Sequence, residues 1–82
     1  MRIRTQHLGT CNLIGKRVET KRKELGMKQK DLLCQLQGLG IDLNASGLSK
    51  LEGQIRKVSD YELLALSKIL NVSVTWLLTA EN

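Results

Sequence analysis

The feature that most constrains the fold of this chain is a series of five short amphipathic stretches, each bounded by residues that start or stop a helix. Asn12, Asn44 and Ser59 carry side-chain oxygens that can cap a helix N-terminus. Gly26 and Asn71 tolerate the left-handed backbone that ends a helix. Between them, apolar residues recur every three or four positions, and no stretch alternates as a strand does. The pattern predicts an all-α fold, a compact bundle of about five short helices.

The cap and stop residues set the expected bounds of these helices. We expect helices at about 12–25, 29–37, 44–53, 59–71 and 73–78. Their expected core positions are apolar: Ile14, Val18, Leu25, Leu32, Leu33, Leu36, Leu48, Leu51, Leu63, Leu66, Ile69 and Leu70. Lys28 falls at the expected cap of the second helix and offers no side-chain acceptor. This costs about 1 kcal/mol relative to Ser or Asp.

The length allows one domain. The chain has 82 residues and a mass of 9.2 kDa, too little for a second core. Residues 1–11 lack helical periodicity and are predicted to be an N-terminal arm or tail, so that residues 12–82 form the domain.

The charge is strongly uneven along the chain. The chain has thirteen Lys and Arg residues and eight Asp and Glu residues, which gives a net charge of +5. Residues 1–30 hold nine basic and two acidic residues, an excess of seven, whereas the remaining residues carry a net charge of −2. A basic half favours a polyanionic partner, either nucleic acid or an anionic membrane. The alternative is a solvated basic helix face without a partner.

Several classes of function find no support in the composition. Cys11 and Cys34 form no CxxC motif and have no histidine cluster near them, so we expect no metal and no cofactor. With His7 as the single histidine, no paired carboxylates at catalytic spacing and no phosphate-cradling glycine loop, we expect no enzyme. No apolar run approaches the length that spans a bilayer, and the basic helix lacks a bulky apolar face, so we expect no membrane partner. Free thiols without a signal peptide suit a cytoplasmic protein.

The third stretch has the most informative face. At about 100° per residue, Leu48 and Leu51 share one side, while Ser46, Ser49 and Lys50 share the other. Serine hydroxyls donate or accept hydrogen bonds, and a lysine favours guanine O6 and N7. Such a face is poorly suited to packing in a core but well suited to hydrogen bonding with base edges in a DNA groove. The alternative is an ordinary solvent-exposed helix.

Three fragments in order resemble the Cro/repressor, or XRE-like, family of helix-turn-helix DNA-binding domains. They are the basic stretch 14–32, the segment Leu48-Ser49-Lys50-Leu51-Glu52 and the closing segment 71–78. The resemblance covers about residues 12–79 and implies a lambda-repressor-like fold, with the third helix as the recognition helix.

The resemblance also implies roles for individual residues. The base-reading positions would be Asn44, Ala45, Ser46, Gly47, Ser49 and Lys50. The phosphate-binding positions would be Arg17, Arg22, Lys28, Gln29, Arg56 and Lys57. Arg22 would also pair with Glu52, tying the first helix to the recognition helix.

The chain departs from the family pattern at two places. The connection Gly38–Leu43 is a few residues longer than the tight turn of phage repressors, and we expect Ile41 and Leu43 to pin it to the core. The family often places a glycine two residues after the glutamate. Here the glycine comes one residue early, at Gly53, and Gln54 holds the usual position.

These features together predict a sequence-specific transcriptional regulator, a repressor that binds double-stranded DNA as a homodimer on an inverted repeat. We expect it to be cytoplasmic, associated with a bacterial or phage nucleoid. The expected dimer surface is the C-terminal apolar group: Val74, Trp76, Leu77 and Leu78. For Trp76 the alternative is a core position, since the chain has only Trp76 and Tyr61 as large aromatic side chains. The alternative is an antitoxin-type or other module of the same fold that binds a protein partner.

Overall fold

The computed structural model describes residues 11–81, and within that range it contains five helices and no strand. The helices are α1 (Gly15–Glu24), α2 (Gln29–Gly38), α3 (Ala45–Glu52), α4 (Asp60–Leu70) and α5 (Val74–Thr79). The all-α prediction is confirmed. The predicted arm, residues 1–11, lies outside the described residues except for Cys11, which is exposed.

One core collects apolar side chains from all five helices and their caps. Its buried members are Ile14, Val18, Leu32, Leu36, Leu43, Leu48, Leu51, Ala65, Leu66, Leu70 and Leu77. Leu33, Leu63 and Ile69 are only partly buried and pack against this core. The predicted inward position of Leu25 is wrong, since this side chain is 48% exposed.

The exposure of Leu25 follows from how α1 ends. Gly26 adopts the left-handed conformation, with φ +73°, and the Met27 N–H donates back to the Arg22 carbonyl at 3.0 Å. The Leu25 N–H still donates to the Lys21 carbonyl at 3.0 Å, so Leu25 is the residue that caps α1, and its side chain lies at the exposed end of the helix.

Asn12 joins the start of α1 to the end of α3. Its Oδ1 accepts from the N–H groups of Ile14 (3.1 Å) and Gly15 (2.7 Å), although the N-cap residue of α1 is Ile14 and not Asn12 as predicted. Its Nδ2 donates to the carbonyls of Leu51 (3.1 Å) and Arg56 (2.8 Å). The buried amide therefore satisfies four backbone groups and fixes α1 against α3.

The weak cap of α2 is partly compensated. Lys28 accepts nothing with its side chain, as predicted, but the Asp31 carboxylate accepts from the Lys28 N–H at 2.9 Å. An acidic residue in the first turn also lies favourably in the field of the helix dipole.

The long connection between α2 and α3 is held to the core. Gly40 takes φ +86°, and the Ile41 N–H donates to the Leu36 carbonyl at 3.0 Å. Gln37 Nε2 donates to the Leu43 carbonyl at 3.0 Å, and the Leu43 side chain is buried. The prediction that Ile41 and Leu43 pin this connection is confirmed.

The C-terminal third follows its sequence signals closely. The Glu62 N–H donates to Ser59 Oγ at 3.2 Å while Glu62 Oε1 accepts from the Ser59 N–H at 3.0 Å, the expected capping box. Asn71 ends α4 at φ +57°, and Ser73 Oγ caps α5 by accepting from the Trp76 N–H at 2.9 Å. Leu77 then enters the core.

Gln54 carries the backbone conformation that a glycine would adopt more easily. Gly53 stays right-handed at φ −81°, whereas Gln54 takes φ +63°. A left-handed non-glycine residue costs about 1–2 kcal/mol. Two contacts hold it there: the Cys11 N–H donates to the Gln54 carbonyl at 2.7 Å, and Gln54 Nε2 donates to the Asn12 carbonyl at 3.0 Å.

We expect the Gln54→Gly variant to be about 1 kcal/mol more stable than Gln54→Ala. Both variants lack the side-chain amide, so their difference isolates the backbone conformation. Urea unfolding of the two proteins measures it. Equal stabilities would show that the left-handed conformation costs nothing at this position.

Candidate nucleic-acid interface

The local sequence fixes which way α3 faces. Asn44 Oδ1 accepts from the Gly47 N–H at 2.7 Å and starts the helix at Ala45. Leu48 and Leu51 are buried in the core, as the periodicity predicts. Because these two leucines set the rotation of the helix, the opposite side must face outward.

Ser46, Ser49 and Lys50 are all exposed, so the predicted outward placement of these three side chains is confirmed. Asn44 and Ala45 are exposed beside them at the start of the helix. We call these five residues the α3 outer face. It carries two hydroxyls, one capping amide, one methyl group and one cation.

Gly47 is not part of this face. It is half-buried, and a Cβ at this position would overlap the Leu43 side chain. The missing side chain therefore makes room for the α2–α3 connection, and the structure does not bring Gly47 together with the other expected base-reading positions.

A buried ionic network lies behind α3. Arg22 Nε donates to Glu52 Oε2 at 2.7 Å and Nη2 donates to Oε1 at 3.1 Å, which confirms the predicted pair. Their side chains are 8% and 3% exposed. The hydrogen bond to Glu52 raises the pKa of Arg22, and burial opposes this with a smaller effect. Gln29 Nε2 donates to Glu52 Oε1 at 2.8 Å, which connects α1, α2 and α3 through one carboxylate.

This network uses groups that were expected to reach DNA phosphates. Arg22 Nη1 donates to the Met27 carbonyl at 2.8 Å, so all three guanidinium nitrogens have partners within the fold. The Gln29 amide directs one of its two N–H groups to Glu52, and the second N–H remains as a donor. The structure thus places Arg22 as a support of α3, whereas Gln29 supports α3 and keeps one donor for another partner.

Two other expected phosphate-binding arginines are also engaged internally. Arg17 Nη1 donates to the carbonyls of Leu13 (3.1 Å) and Leu77 (2.7 Å), tying α1 to α5. The Arg56 guanidinium forms a two-pronged pair with Glu62, with both N···O distances at 3.2 Å. Neither pairing follows from local sequence, although the position of Arg56 just before the capping box was a weak signal for the second.

Lysines are the cations that remain available near α3. Lys28, Lys30, Lys50 and Lys57 are exposed, and among residues 11–81 none of them lies within ion-pair distance of a carboxylate. By contrast, Lys21 and Lys23 pair with glutamates on their own helix. Of the expected phosphate contacts, the structure leaves Lys28 and Lys57 free.

Sequence reasoning missed Lys30. This residue lies with Gln29, Leu33, Ala45 and Leu48 around a cleft of about 230 Å³ between the start of α2 and the start of α3. Ala45 belongs to the α3 outer face, so Lys30 stands at its edge. No motif marks this lysine, and its position directly after Gln29 was the only available signal.

Residues 11–81 were also compared with the requirements of a metal site and of a membrane-spanning helix. No group of three or more His, Cys, Asp or Glu side chains is placed to hold a metal ion. None of the helices in this range is both long and apolar enough to cross a membrane. Every buried side-chain nitrogen and oxygen in it has a hydrogen-bond partner.

Comparison of the chain with protein-family models, with curated proteins and with solved structures finds no match. The functional interpretation therefore rests on the residues of the α3 outer face and on what surrounds them.

Proposed function

We propose that this protein is a sequence-specific DNA-binding transcriptional regulator of the helix-turn-helix type, with α3 as its recognition helix. The observation that carries the proposal is the exposure of Ser46, Ser49 and Lys50 on one side of a helix whose other side is fixed by buried leucines. The Glu52 network locks this helix to α1 and α2, so its outer face is held rigidly.

In this proposal α3 lies in the major groove, which admits an α-helix. Lys50 donates to guanine O6 and N7, while the two serine hydroxyls donate to or accept from base edges. The Ala45 methyl group is small enough to approach the thymine methyl. Lys28 and Lys57 neutralise phosphates on either side as point charges.

The regulator is proposed to act as a homodimer on an inverted repeat, because an eight-residue helix reads too few base pairs alone. Leu77 was expected to form part of the dimer surface, but its side chain is fully buried in the monomer. Leu13 and Leu78, which are exposed, line one groove with Val58 and Leu63. We therefore propose that the residues of this groove, and not Leu77, form the dimer surface. A dimer covering a promoter represses by excluding polymerase.

Selection of bound sequences from a random duplex pool tests the proposal. We expect an enriched motif with twofold symmetry and half-sites about 10 bp apart, centre to centre. An enriched motif without symmetry would contradict the dimer alone. Failure of the protein to retain any duplex at low salt would contradict DNA binding.

Replacing Lys50 with Ala should relax the base preference at one position of each half-site and weaken binding to the best site by about 1–3 kcal/mol. Repeating the selection with the variant measures the preference, and titration of the selected duplex measures the affinity. Lys68→Ala on α4 is the matched control, since it removes the same charge from another exposed lysine. If Lys50→Ala weakened all duplexes equally, its base-reading role would be wrong.

One observation favours a second candidate function, a module that binds a protein partner. Tyr61 is 76% exposed, and Leu39 and Leu64 are about half exposed. Tyr61 and Leu39 line the same depression, and Leu64 follows Tyr61 by one turn of α4. A partner that co-purifies with the wild type and is lost on Tyr61→Ser would support this candidate.

A further inference from the structure

We propose that Lys30 is a DNA-contacting residue that holds a phosphate at the edge of the groove occupied by α3. This inference rests on the proposed DNA-binding function and adds to it a residue that the family resemblance does not assign. It is based on the cleft between the first turns of α2 and α3 and on the hydrogen bonds that Gln29 and Asp31 make within the fold.

The cleft places Lys30 beside the base-reading surface. Its wall includes Ala45, the first residue of the α3 outer face, and its apolar part is completed by Leu33 and Leu48. A lysine at such an edge can lay its aliphatic stem along apolar surface and extend the ammonium outward. A duplex that received α3 in its major groove would bring its sugar–phosphate backbone to this edge.

Lys30 is the cationic side chain among the residues that line this cleft. One N–H of the neutral Gln29 amide donates to Glu52, so this residue adds no charge to the edge. Asp31, the adjacent acid, accepts from the Lys28 N–H, and it makes no ion pair with Lys30. The ammonium is therefore exposed and uncompensated within the described residues, as a phosphate contact requires.

The chain offers a matched control in Lys68 of α4. Lys68 is also exposed and makes no ion pair within residues 11–81, but it lies with Gln35, Leu39 and Ile69 at the other end of α2. The ten residues of α2 separate its two ends by about 15 Å. Lys30→Met on α2 and Lys68→Met on α4 thus remove the same charge near opposite ends of α2.

The experiment titrates the full chain against a mixed-sequence duplex of about 30 bp, at salt concentrations from about 50 to 200 mM. We expect Lys30→Met to reduce the slope of log K against log salt by about 0.9 per bound protomer and to weaken binding about eightfold at 0.1 M salt. Lys68→Met should match the wild type in both. Lys30→Arg should restore the slope, because a phosphate contact needs the charge. Thermal unfolding of each variant verifies that the fold is intact.

The outcomes separate this inference from the proposed function. If the wild type binds the duplex and Lys30→Met behaves as Lys68→Met does, Lys30 makes no phosphate contact while the DNA-binding function stands. A slope lowered equally by both variants would indicate a general charge effect and would also overturn the inference. If the wild type binds no duplex at any salt concentration, both fall together.

Discussion

The Glu52→Gln variant is expected to lose about 3–5 kcal/mol of folding free energy, a large share of what a small domain has. Glu52 accepts hydrogen bonds from Arg22 Nε, Arg22 Nη2 and Gln29 Nε2. Glutamine preserves the size of the side chain but not its charge. The buried guanidinium would then face an amide whose N–H₂ group repels it.

The large effect comes from burial and not from the ion pair as such. An exposed pair is worth between zero and about 1 kcal/mol, because water solvates both charges when the pair breaks. Water cannot solvate the Arg22 guanidinium in the same way, since its side chain is 8% exposed and its third nitrogen donates to the Met27 carbonyl. Removing one partner leaves an uncompensated buried charge.

Urea unfolding of Glu52→Gln and Glu24→Gln checks this expectation. Glu24 pairs with Lys21 on the surface of α1, with the glutamate side chain 59% exposed, so its variant should stay within about 0.5 kcal/mol of the wild type. Equal effects would contradict the distinction between the buried and the exposed pair. In a double-mutant cycle, adding Arg22→Met should recover much of the loss, because the unpaired charge is then gone.

The arginine side of this pair adds no pH dependence in the neutral range. Its folded pKa is raised above the unfolded value, so its stabilising contribution is fully present below the unfolded pKa. That contribution is lost only as the pH rises through the folded pKa, at strongly alkaline pH. The orientation of α3 should therefore be insensitive to ordinary changes in pH as far as Arg22 is concerned.

The parts of the fold that the sequence predicted are those governed by neighbours in the chain. Asn44, Ser59 and Asn71 act within one turn of where they stand, so caps and stops could be predicted. The exposure of Ser46 and Ser49 followed from the period of a helix whose apolar side was plain. Leu25 was misplaced because the helical period does not show that the last residue before the turn at Gly26 has no core to pack against.

The use of the cations could not be predicted in the same way. Arg17 meets the Leu77 carbonyl sixty residues away, and only the folded chain brings the two together. The same holds for the cleft that brings Lys30 beside Ala45. Sequence can show that a segment is basic, but which cations stabilise the fold and which remain for a ligand depends on tertiary contacts. In this chain the arginines within residues 11–81 stabilise the fold, and lysines remain beside α3.

Replacing Gly15 with Ala is the second change expected to have a large effect, a loss of about 3 kcal/mol or somewhat more. Gly15 is the first residue of α1, and a Cβ there would overlap the Leu51 carbonyl oxygen and crowd the Glu52 carbonyl and the Gln54 side chain. The first two obstacles are backbone atoms, which cannot move aside as a flexible side chain does. The N-terminus of α1 would have to separate from the C-terminus of α3.

Gly38→Ala provides the control, because it makes the same chemical change at the last residue of α2, where a Cβ would meet nothing within 4 Å. Its backbone is not left-handed, so alanine should be neutral there or stabilise the fold by up to about 1 kcal/mol. Urea unfolding of both variants measures the difference, and similar stabilities would mean that α1 and α3 can separate without cost.

Since the Asn12 amide bridges the same two ends, a shift between them would also tilt the α3 outer face. Gly15→Ala should therefore weaken duplex binding even under conditions in which the variant is fully folded, whereas Gly38→Ala should not.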